Sequence, residues 1–376
     1  MNLRKMLLAV CVCGLAAGAA LAQDYESIEG AVVYDYDPAT KLGGDVFGTV
    51  TSNLERDFPG RNSHGGPVCM QYPDGRIVAF NTNTSDHNLD GWSEHAESRD
   101  GGKSWKMYNR FPYSFEAYSR DPKRPAWIEA GLVTSRGTVV VFVTHFLTGG
   151  SRTMSGFMRS YDQGATWTAY ESVDGVHIGY PVGTAVDGDT NYIIYDTDAG
   201  SDGRRPHVLY VSTDDGRSWQ KRSTLPLQDD VWYGAITLMP DGGLLAGAYH
   251  SEDEYHFYYC ISKDQGRTWT EERKAKVDQK VRDPELGQIG GRYYLHGRSG
   301  SYGEGADRFV LYESPDGENW GSAIVVSKQT GRGDGYSSNC LIDTDDDGKP
   351  DELMVLFSIQ YKGVDTNEHV FFIRPQ

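Results

Sequence analysis

An all-β fold, a six-bladed β-propeller in one domain, is predicted by three observations. An eight-residue motif recurs along the chain, pairs of short apolar strands precede its copies, and no stretch has the periodicity of a long helix. The motif reads Ser-x-Asp-x-Gly-x-x-Trp, and its full copies start at Ser98, Ser160, Ser212 and Ser262. A fifth copy, one residue shorter, starts at Ser314.

The spacing of the motif sets the architecture. Successive copies begin 50 to 62 residues apart, which is about the span of four strands and their turns in one propeller blade. Five copies and a last unit without the motif predict six blades. That last unit offers three strands, near residues 338–342, 352–360 and 369–374. Because propellers leave few strand edges unprotected, residues 30–37 are predicted to add a fourth strand and close the ring.

Each copy of the motif is typical of a hairpin turn. The Asp side chain can accept hydrogen bonds from backbone N–H groups, and Gly adopts backbone angles that other residues resist. The Trp can pack the following strand against its blade. Upstream strand pairs flank Pro-Asp-Gly turns, as in residues 68–72 with 76–80 and residues 235–239 with 243–248.

The N-terminal segment has the pattern of an export signal. Arg4 and Lys5 precede an apolar stretch over residues 6–19, and Ala20-Leu21-Ala22 resembles a cleavage site. The apolar stretch is too short for a membrane span. The pattern predicts that residues 1–22 are removed and that residues 23–376 form one secreted or periplasmic domain, expected as a monomer.

Charge and cysteine content exclude several classes of function. A net charge of −17 disfavours binding to nucleic acid or to anionic membranes. Cys69, Cys260 and Cys340 lie outside the predicted signal, and their wide spacing favours buried thiols over a zinc site. A Cys69–Cys340 bridge is the one disulfide pairing that the sequence suggests.

Strand alternation indicates which side chains share one face of the ring. The motifs occupy the turn between strands 3 and 4, so the starts of strand 1, the ends of strand 2 and the starts of strand 3 lie on the opposite face. This face is predicted to form a polar, partly aromatic mouth suited to a sugar. Its predicted members are His64, Glu129, His177, Tyr180, Tyr233, Asp283, Glu285, Tyr336, Asn81, Asn83, His145, Asp196, His250, Arg298, Gln360 and Arg308.

With these repeats, often called Asp boxes, the chain resembles the sialidase (neuraminidase) superfamily over essentially residues 23–376. The resemblance implies a glycosidase that uses a Tyr nucleophile, an acid as its base, a separate Asp as acid/base, and three Arg that hold the substrate carboxylate. Gly335-Tyr336-Ser337-Ser338 resembles the nucleophile strand, Arg308 the third arginine, and Ser85-Asp86-His87 the acid/base site. Asp90 is an alternative to Asp86. Each of these residues also has a structural alternative. These are a stacking ring for Tyr336, a strand-edge salt bridge for Arg308 and an Asx turn for Asp86.

The sequence departs from the family pattern at the other two arginines. The segment His64-Gly65-Gly66-Pro67 stands where the family has its first arginine, and blade 4 offers Tyr233 and His250 in place of the second arginine and the glutamate. Glu285 and Arg298 in blade 5 are the proposed replacements, as base and carboxylate ligand, unless they form an ion pair that braces the inner strands. His64, His145, His250 and Tyr233 are further substrate-binding candidates.

A second signal is an acidic loop in the last unit. Asp343, Asp345, Asp347 and Asp351 follow the D-x-D-x-D-G-x-x-D spacing of a calcium loop, although the position of the bidentate Glu of an EF-hand is Met354. The alternatives are a structural Ca²⁺ site and an acidic turn without metal. No cofactor is predicted for catalysis.

Three functions remain open on the sequence. The first is an exo-acting, retaining, sialidase-like hydrolase of sialylated or other acidic glycans, with Tyr336, Glu285 and Asp86 as catalytic residues. The second is a glycan-binding propeller without catalysis, since half of the expected site is altered. The third is a polysaccharide lyase on the same scaffold, with a His or Tyr as base.

Overall fold

The structure is a computed structural model. It describes residues 63–84, 91–102, 105–147, 151–173, 179–197, 205–228, 230–300, 308–328, 336–345, 347–359 and 367–373. The predicted signal over residues 1–22, the predicted closing strand over residues 30–37, and Asp86 lie outside these ranges. In the described part of the chain, no helix is long and apolar enough to cross a membrane.

The described strands form antiparallel sheets, each built from strands consecutive in the chain. The first holds β1 (Ser63–Gln71), β2 (Ile77–Thr84), β3 (Gly91–Ser98) and β4 (Lys106–Arg110), and the second holds β5 (Ala126–Val133), β6 (Val139–Leu147), β7 (Ser151–Ser160) and β8 (Glu171–Ser172). The third holds β9 (Gly179–Asp187), β10 (Thr190–Thr197), β11 (His207–Ser212) and β12 (Gln220–Thr224), and the fourth holds β13 (Val231–Leu238), β14 (Leu244–His250), β15 (His256–Ser262) and β16 (Arg273–Lys276). The fifth holds β17 (Arg282–Ile289), β18 (Arg292–Arg298), β19 (Arg308–Ser314) and β20 (Ile324–Lys328), and the last holds β21 (Ser337–Ile342), β22 (Glu352–Ile359) and β23 (Asn367–Ile373).

The sheets are arranged as the blades of a propeller, which confirms the predicted all-β fold. The first strand of each sheet contacts the first strand of the next, and β21 returns to contact β1. Of the six blades predicted, five are present as complete four-stranded sheets, and the last sheet has three strands among the described residues. Whether a strand from residues 30–37 completes it stays a prediction.

Apolar cores lie between neighbouring blades, because each sheet presents side chains on both of its faces. Between blades 2 and 3, Phe142 packs against Tyr195 and Trp219, and the core between the first blade and the last sheet contains Ile77 and Met354. Burial of such side chains stabilises a fold by roughly 1.5–3 kcal/mol each. The blades are therefore held together mainly by packing between sheets.

The Asp boxes form the turns that the sequence predicts. In the fourth box the Ser262 hydroxyl donates to Asp264 Oδ1 (2.8 Å) and accepts from the Gly266 N–H (2.8 Å). Asp264 also accepts from the backbone N–H and the hydroxyl of Thr268. Gln265 and Gly266 have φ of 60° and 78°, and glycine is the residue for which such angles cost least. Trp269 then packs between blades and donates its indole N–H to Ser223 Oγ (2.9 Å).

One short helix interrupts the all-β pattern after β4. Helix α1 spans Pro112–Arg120, with the proline in its first turn, where a missing N–H costs no hydrogen bond. Phe115 and Tyr118 on this helix pack edge-on or tilted against the buried Trp92 ring. The helix thus covers the edge between blades 1 and 2.

Candidate active site at the mouth of the central channel

A central channel runs between the inner strands, and all six of these strands contribute to its wall. The channel is narrow and its lining combines carboxylates, phenols and small residues. The lining comprises Pro67, Val68, Cys69, Glu129, Ala130, Gly131, Tyr180, Pro181, Val182, Gly183, Thr184, Tyr233, Gly234, Ile236, Asp283, Pro284, Glu285, Leu286, Tyr336, Ser337, Ser338 and Asn339. The predicted mouth therefore exists on the face opposite the Asp boxes.

Irregular backbone places two of these side chains. The strand register shifts between Trp232 and Ala235 in β13 and between Arg282 and Glu285 in β17. Within the bulges, Tyr233 has a φ of 53° and Asp283 a φ of 49°, in the left-handed region that non-glycine residues seldom occupy. Backbone strain of this kind costs about 1–3 kcal/mol and is concentrated at functional sites. The two bulges thus mark Tyr233 and Asp283 as candidates for function.

Tyrosine side chains form a cluster across the mouth. The Tyr233 and Tyr336 rings lie 6.1 Å apart between centroids, and a hydrogen bond joins their hydroxyls. Tyr180 packs edge-on against Tyr233 at 5.3 Å, and Tyr249 stacks on the other side of Tyr233 at 6.2 Å. Burial raises the pKa of Tyr180 and of Tyr233 well above the ordinary value, so both phenols are neutral near pH 7.

A buried ion pair lies beneath this cluster. Arg298 Nε lies 2.5 Å from Asp283 Oδ2, and both side chains are almost fully buried. The Arg298 guanidinium also lies over the Tyr336 ring, with Cζ 5.2 Å from the centroid. Burial acts against the charge of Arg298, but Asp283 and the neighbouring phenols keep the pKa of the guanidinium above its usual value. Arg298 therefore stays charged under the Tyr336 ring.

Glu285 occupies a different position from the one expected of a partner for Arg298. It is placed opposite His296 in the strand register, and the arginine binds Asp283 instead. The bulge that ends at Glu285 inserts an extra residue into β17, which turns Asp283 toward Arg298. Burial, followed by the neighbouring Cys69 and Asp283, raises the pKa of Glu285 well above its usual value.

Glu129 adds a carboxylate from the opposite side of the ring. It lies at the bulge of β5 in blade 2, and a hydrogen bond joins it to the Tyr180 hydroxyl. Glu129, Tyr180 and Asp283 were predicted members of the mouth from strand alternation, yet no catalytic or binding role followed for them from the sequence. The signal that could have singled out Asp283 and Tyr233 is their shared place just after the start of an inner strand.

Three predicted substrate-binding residues lie away from the channel lining. A hydrogen bond joins His145 Nε2 to the Tyr113 hydroxyl of α1 (2.9 Å), and the His145 ring packs against Tyr170. His250 accepts from the Glu252 N–H (3.1 Å) through Nδ1, in the loop that leaves β14. Arg308 donates to Gln279 Oε1 (3.1 Å) at the start of β19. The strand ends lie on the predicted face, but these side chains are not part of the channel lining.

The two further candidates are His64 and Asp86. His64 lies on β1, where it pairs with Asn83 in the register. Asp86 lies outside the described residues. Of the remaining candidates, Tyr336, Tyr233 and Glu285 line the channel and Arg298 contacts Tyr336.

A known family model matches part of the repeat array. Residues 174–330 match the family described as BNR repeat-like domain. They cover the boxes of blades 3, 4 and 5. The chain is a propeller that contains a BNR repeat-like domain.

Known proteins similar to this BNR-repeat propeller include several glycosidases. A xyloglucanase from Paenibacillus sp is 31% identical over 247 residues, which are 60% of this chain and 22% of the relative, so the chain spans less than a quarter of that protein. A protein of unknown function from Dyadobacter fermentans has a similar structure, with a TM-score of 0.68, 15% identity, and coverage of 84% of this chain and 96% of that one.

Two solved glycosidases share the fold at the same low identity. The Hadza microbial sialidase Hz136 gives a TM-score of 0.60 at 15% identity, over 84% of this chain and 66% of that one. An α-L-arabinanase from Penicillium chrysogenum, complexed with arabinobiose, gives 0.58 at 15% identity, over 84% and 94%. Identities this low establish the fold of the BNR-repeat propeller and leave its substrate open.

The acidic loop of this propeller lies between β21 and β22, at the opposite end of the channel from the mouth. One carboxylate oxygen each from Asp343, Asp345 and Asp351 lies within 4.8 Å of the others, while Asp347 is outside this group. The loop also bonds internally: Asp343 Oδ2 accepts from the Gly348 N–H (2.7 Å), and Asp351 Oδ2 accepts from the Thr344 N–H (2.9 Å). Three carboxylates at this spacing suit a hard cation such as Ca²⁺.

Proposed function

We propose that the protein is a secreted, retaining glycoside hydrolase of sialidase type that acts on chain ends, with Tyr336 as the nucleophile. The observation that carries this proposal is the environment of Tyr336 at the channel mouth. Its hydroxyl is hydrogen-bonded to Tyr233, and its ring lies on the buried Arg298 guanidinium. A positive charge and a hydrogen-bond donor beside a phenol stabilise negative charge that develops on its oxygen.

The two blade-5 carboxylates suit different steps. Asp283 is held as a carboxylate by its ion pair with Arg298, so it supports the role of base for the Tyr336 proton. Glu285, the base expected from the sequence, has a raised pKa and is better suited to donate a proton than to accept one. In this scheme the Tyr336 oxygen forms a bond to the anomeric carbon, the glycosidic C–O bond breaks, and an acid protonates the leaving oxygen. Water then cleaves the Tyr336–sugar bond.

Two residues are candidates for the acid that protonates the leaving oxygen. Asp86 is the one that the family resemblance implies. Glu129 is the one that the described structure supports, because it lines the mouth opposite Asp283 and is joined to Tyr180. Substitution of each separately distinguishes them.

An uncharged glycan is a second candidate substrate, and a specific observation favours it over a sialoside. The described part of the channel lining holds three carboxylates, from Glu129, Asp283 and Glu285, and no arginine. Arg298 is balanced by Asp283, and Arg308 lies outside the lining with Gln279. The described lining thus supplies no arginine for the carboxylate of an acidic sugar. The similarity to a xyloglucanase and an arabinanase also favours a neutral substrate. For such a sugar, Glu129 with Asp283 or Glu285 would act as the carboxylate pair.

One experiment separates these proposals. Protein from residue 23 onward is incubated with α2,3- and α2,6-sialosides, with xyloglucan and with arabinan, and released sugars are quantified. Tyr336→Phe and Glu129→Gln are compared with Tyr255→Phe, an exposed tyrosine outside the lining. Release of sialic acid that is lost in Tyr336→Phe supports the sialidase-type mechanism. Release from a neutral glycan that is lost in Glu129→Gln and retained in Tyr336→Phe supports the carboxylate pair. Glycan binding without any product would establish a binding propeller, and unsaturated products would establish a lyase.

We also propose that the loop at Asp343, Asp345 and Asp351 holds a structural Ca²⁺. The spacing of its carboxylates supports this role, and no catalytic step depends on it. Isothermal titration of chelator-treated protein with Ca²⁺, alongside Asp345→Asn, tests the site. Heat of binding that is equal in both proteins would contradict it.

Closure of the ring by residues 30–37 is a further proposal. It is supported by the last sheet, which has three strands among the described residues where the other blades have four. Val33→Pro should destabilise the protein, because proline removes a ladder hydrogen bond, whereas Asp24→Pro outside the predicted strand should not. Equal melting temperatures would reject the closing strand.

A further inference from the structure

The seam between the first and last blades brings two cysteines together. Cys69 lies on β1 and Cys340 on β21, the inner strands of blades 1 and 6, which contact each other where the ring closes. The residues are far apart in the chain, so a link between them would span nearly the whole described propeller. The seam is also where a propeller opens when its first and last blades separate.

Side-chain contacts across the seam place the two sulfurs side by side. Ser338 Oγ lies 3.3 Å from the Cys69 backbone nitrogen and 3.7 Å from Cys69 Sγ. Ser338 and Cys340 are two residues apart on β21, so their side chains share the face of the strand that meets Cys69. Cys340 accordingly packs against the core cluster that contains Cys69, and the neighbouring Cys69 thiol raises the pKa of Cys340. Both are free thiols in the structure.

The channel gives a small molecule access to this pair. Cys69 lines the central channel on the mouth side, and Cys69 and Cys340 both line its other end. Cys69 is buried and Cys340 is half-buried. The remaining described cysteine, Cys260, is fully buried on β15 in the core between blades 3 and 4 and lines neither part of the channel. Of the three described thiols, the pair placed to form a bond is therefore Cys69 and Cys340.

We propose that Cys69 and Cys340 form a disulfide that fastens the first blade to the last. The oxidant is a small-molecule disulfide that enters through the channel. One cysteine thiolate attacks this molecule, whose S–S bond breaks and releases one thiol. The second cysteine then attacks the protein sulfur of the mixed disulfide, which forms the Cys69–Cys340 bond and releases the second thiol. The two protein thiols lose two electrons in total, and the external disulfide gains them.

The seam disulfide is expected to stabilise the folded ring without touching the mouth. A cross-link between distant residues restricts the unfolded chain, and the restriction grows with the length of the loop that it closes. Oxidation should therefore raise the melting temperature by roughly 5 °C. It should leave the hydrogen bonds and the ion pair around Tyr336 unchanged.

Protein from residue 23 onward, fully reduced and then incubated with oxidised glutathione, tests the proposal. Digestion without reductant and mass spectrometry should show one peptide pair joining Cys69 to Cys340, lighter by two hydrogens than the separate peptides. Cys260→Ser is the matched control and should give the same pair and the same rise in melting temperature. Cys69→Ser and Cys340→Ser should give neither.

Several outcomes would overturn the seam disulfide. Two free thiols after long oxidation of folded wild-type protein would do so, as would separate glutathione adducts on the two cysteines. A cross-linked product with an unchanged melting temperature would show that the bond does not fasten the ring. Because reduced and oxidised wild-type protein are compared directly, the test stands even if a serine variant does not fold.

Discussion

Arg298 is held between two residues of different blades: its Nε lies 2.5 Å from the Asp283 carboxylate, and its guanidinium lies 5.2 Å from the centre of the Tyr336 ring. The charge is thus neutralised on one side and presented to a phenol on the other. This relationship links the stability of blade 5 to the chemistry proposed for the mouth. A carboxylate ligand role for Arg298 would require the substrate to compete with Asp283.

Asp283→Asn should destabilise the protein strongly. The substitution leaves the buried Arg298 guanidinium without its counter-charge, and loss of one partner of a buried ion pair costs about 3–5 kcal/mol. Unfolding by urea, followed by tyrosine and tryptophan fluorescence, measures the change. Glu116→Gln is the control, because its pair with Arg120 on α1 is exposed and such pairs contribute less than about 1 kcal/mol. Equal effects of the two substitutions would show that the buried Arg298–Asp283 pair contributes no more to the free energy of unfolding than the exposed pair.

Tyr233→Phe should reduce turnover more than substrate affinity. The substitution removes the hydroxyl that is hydrogen-bonded to Tyr336 and keeps the ring that packs between Tyr180 and Tyr249. One hydrogen bond to a group that gains charge in the transition state changes kcat by roughly 10- to 100-fold. Steady-state kinetics on the substrate found active would measure it, with Tyr161→Phe on an exposed Asp-box turn as control. A rise in KM at constant kcat would assign Tyr233 to substrate binding instead.

The fold could be predicted from the sequence because its signals are local. The Ser262–Asp264–Gly266 turn depends only on residues within a few positions of each other, and the interval between such turns fixes the number of strands. The face on which Tyr336, Tyr233 and Asp283 meet followed from strand alternation alone.

The pairing of side chains within the mouth could not be predicted in the same way. Arg298 binds Asp283 rather than Glu285 because a bulge adds one residue to β17. Such a bulge cannot be recognised from the alternation of residues along a strand sequence. His145 faces Tyr113 because α1 interrupts the repeat after blade 1. Both differences arise where the repeat is locally irregular, whereas strand alternation predicts side-chain positions only for regular strands.

His296 should make the protein less stable in mild acid. Burial lowers the pKa of this imidazole to about 3, and the ring is neutral between the Ser337 hydroxyl (3.0 Å) and the Asn339 amide (2.9 Å). Below about pH 6.5 the unfolded chain binds a proton at this position and the folded chain does not. Stability should therefore fall by about 1.4 kcal/mol per pH unit from pH 6.5 toward pH 3 on account of this residue.

The contribution of His296 is measured by the pH dependence of stability rather than by stability at one pH. His296→Gln should be less stable at pH 7, since Asn339 and Ser337 lose their partner, but its free energy of unfolding should fall less steeply between pH 6.5 and pH 4. A wild-type slope in His296→Gln would mean that another group takes up the proton.

Asp264→Ala should destabilise the protein at neutral pH, and this effect should disappear in acid. Hydrogen bonds from the Thr268 backbone and hydroxyl, and from Ser262, lower the pKa of Asp264 to about 2. A carboxyl whose pKa is depressed in the folded state stabilises that state above the pKa of the unfolded chain, near 4, and the contribution is lost as the pH falls toward 2. The melting temperature of Asp264→Ala should lie below that of wild type at pH 7, and the gap should narrow between pH 4 and pH 3. A gap that stays constant would mean that the Asp264 side chain stabilises the turn through bonds that its protonated form also makes.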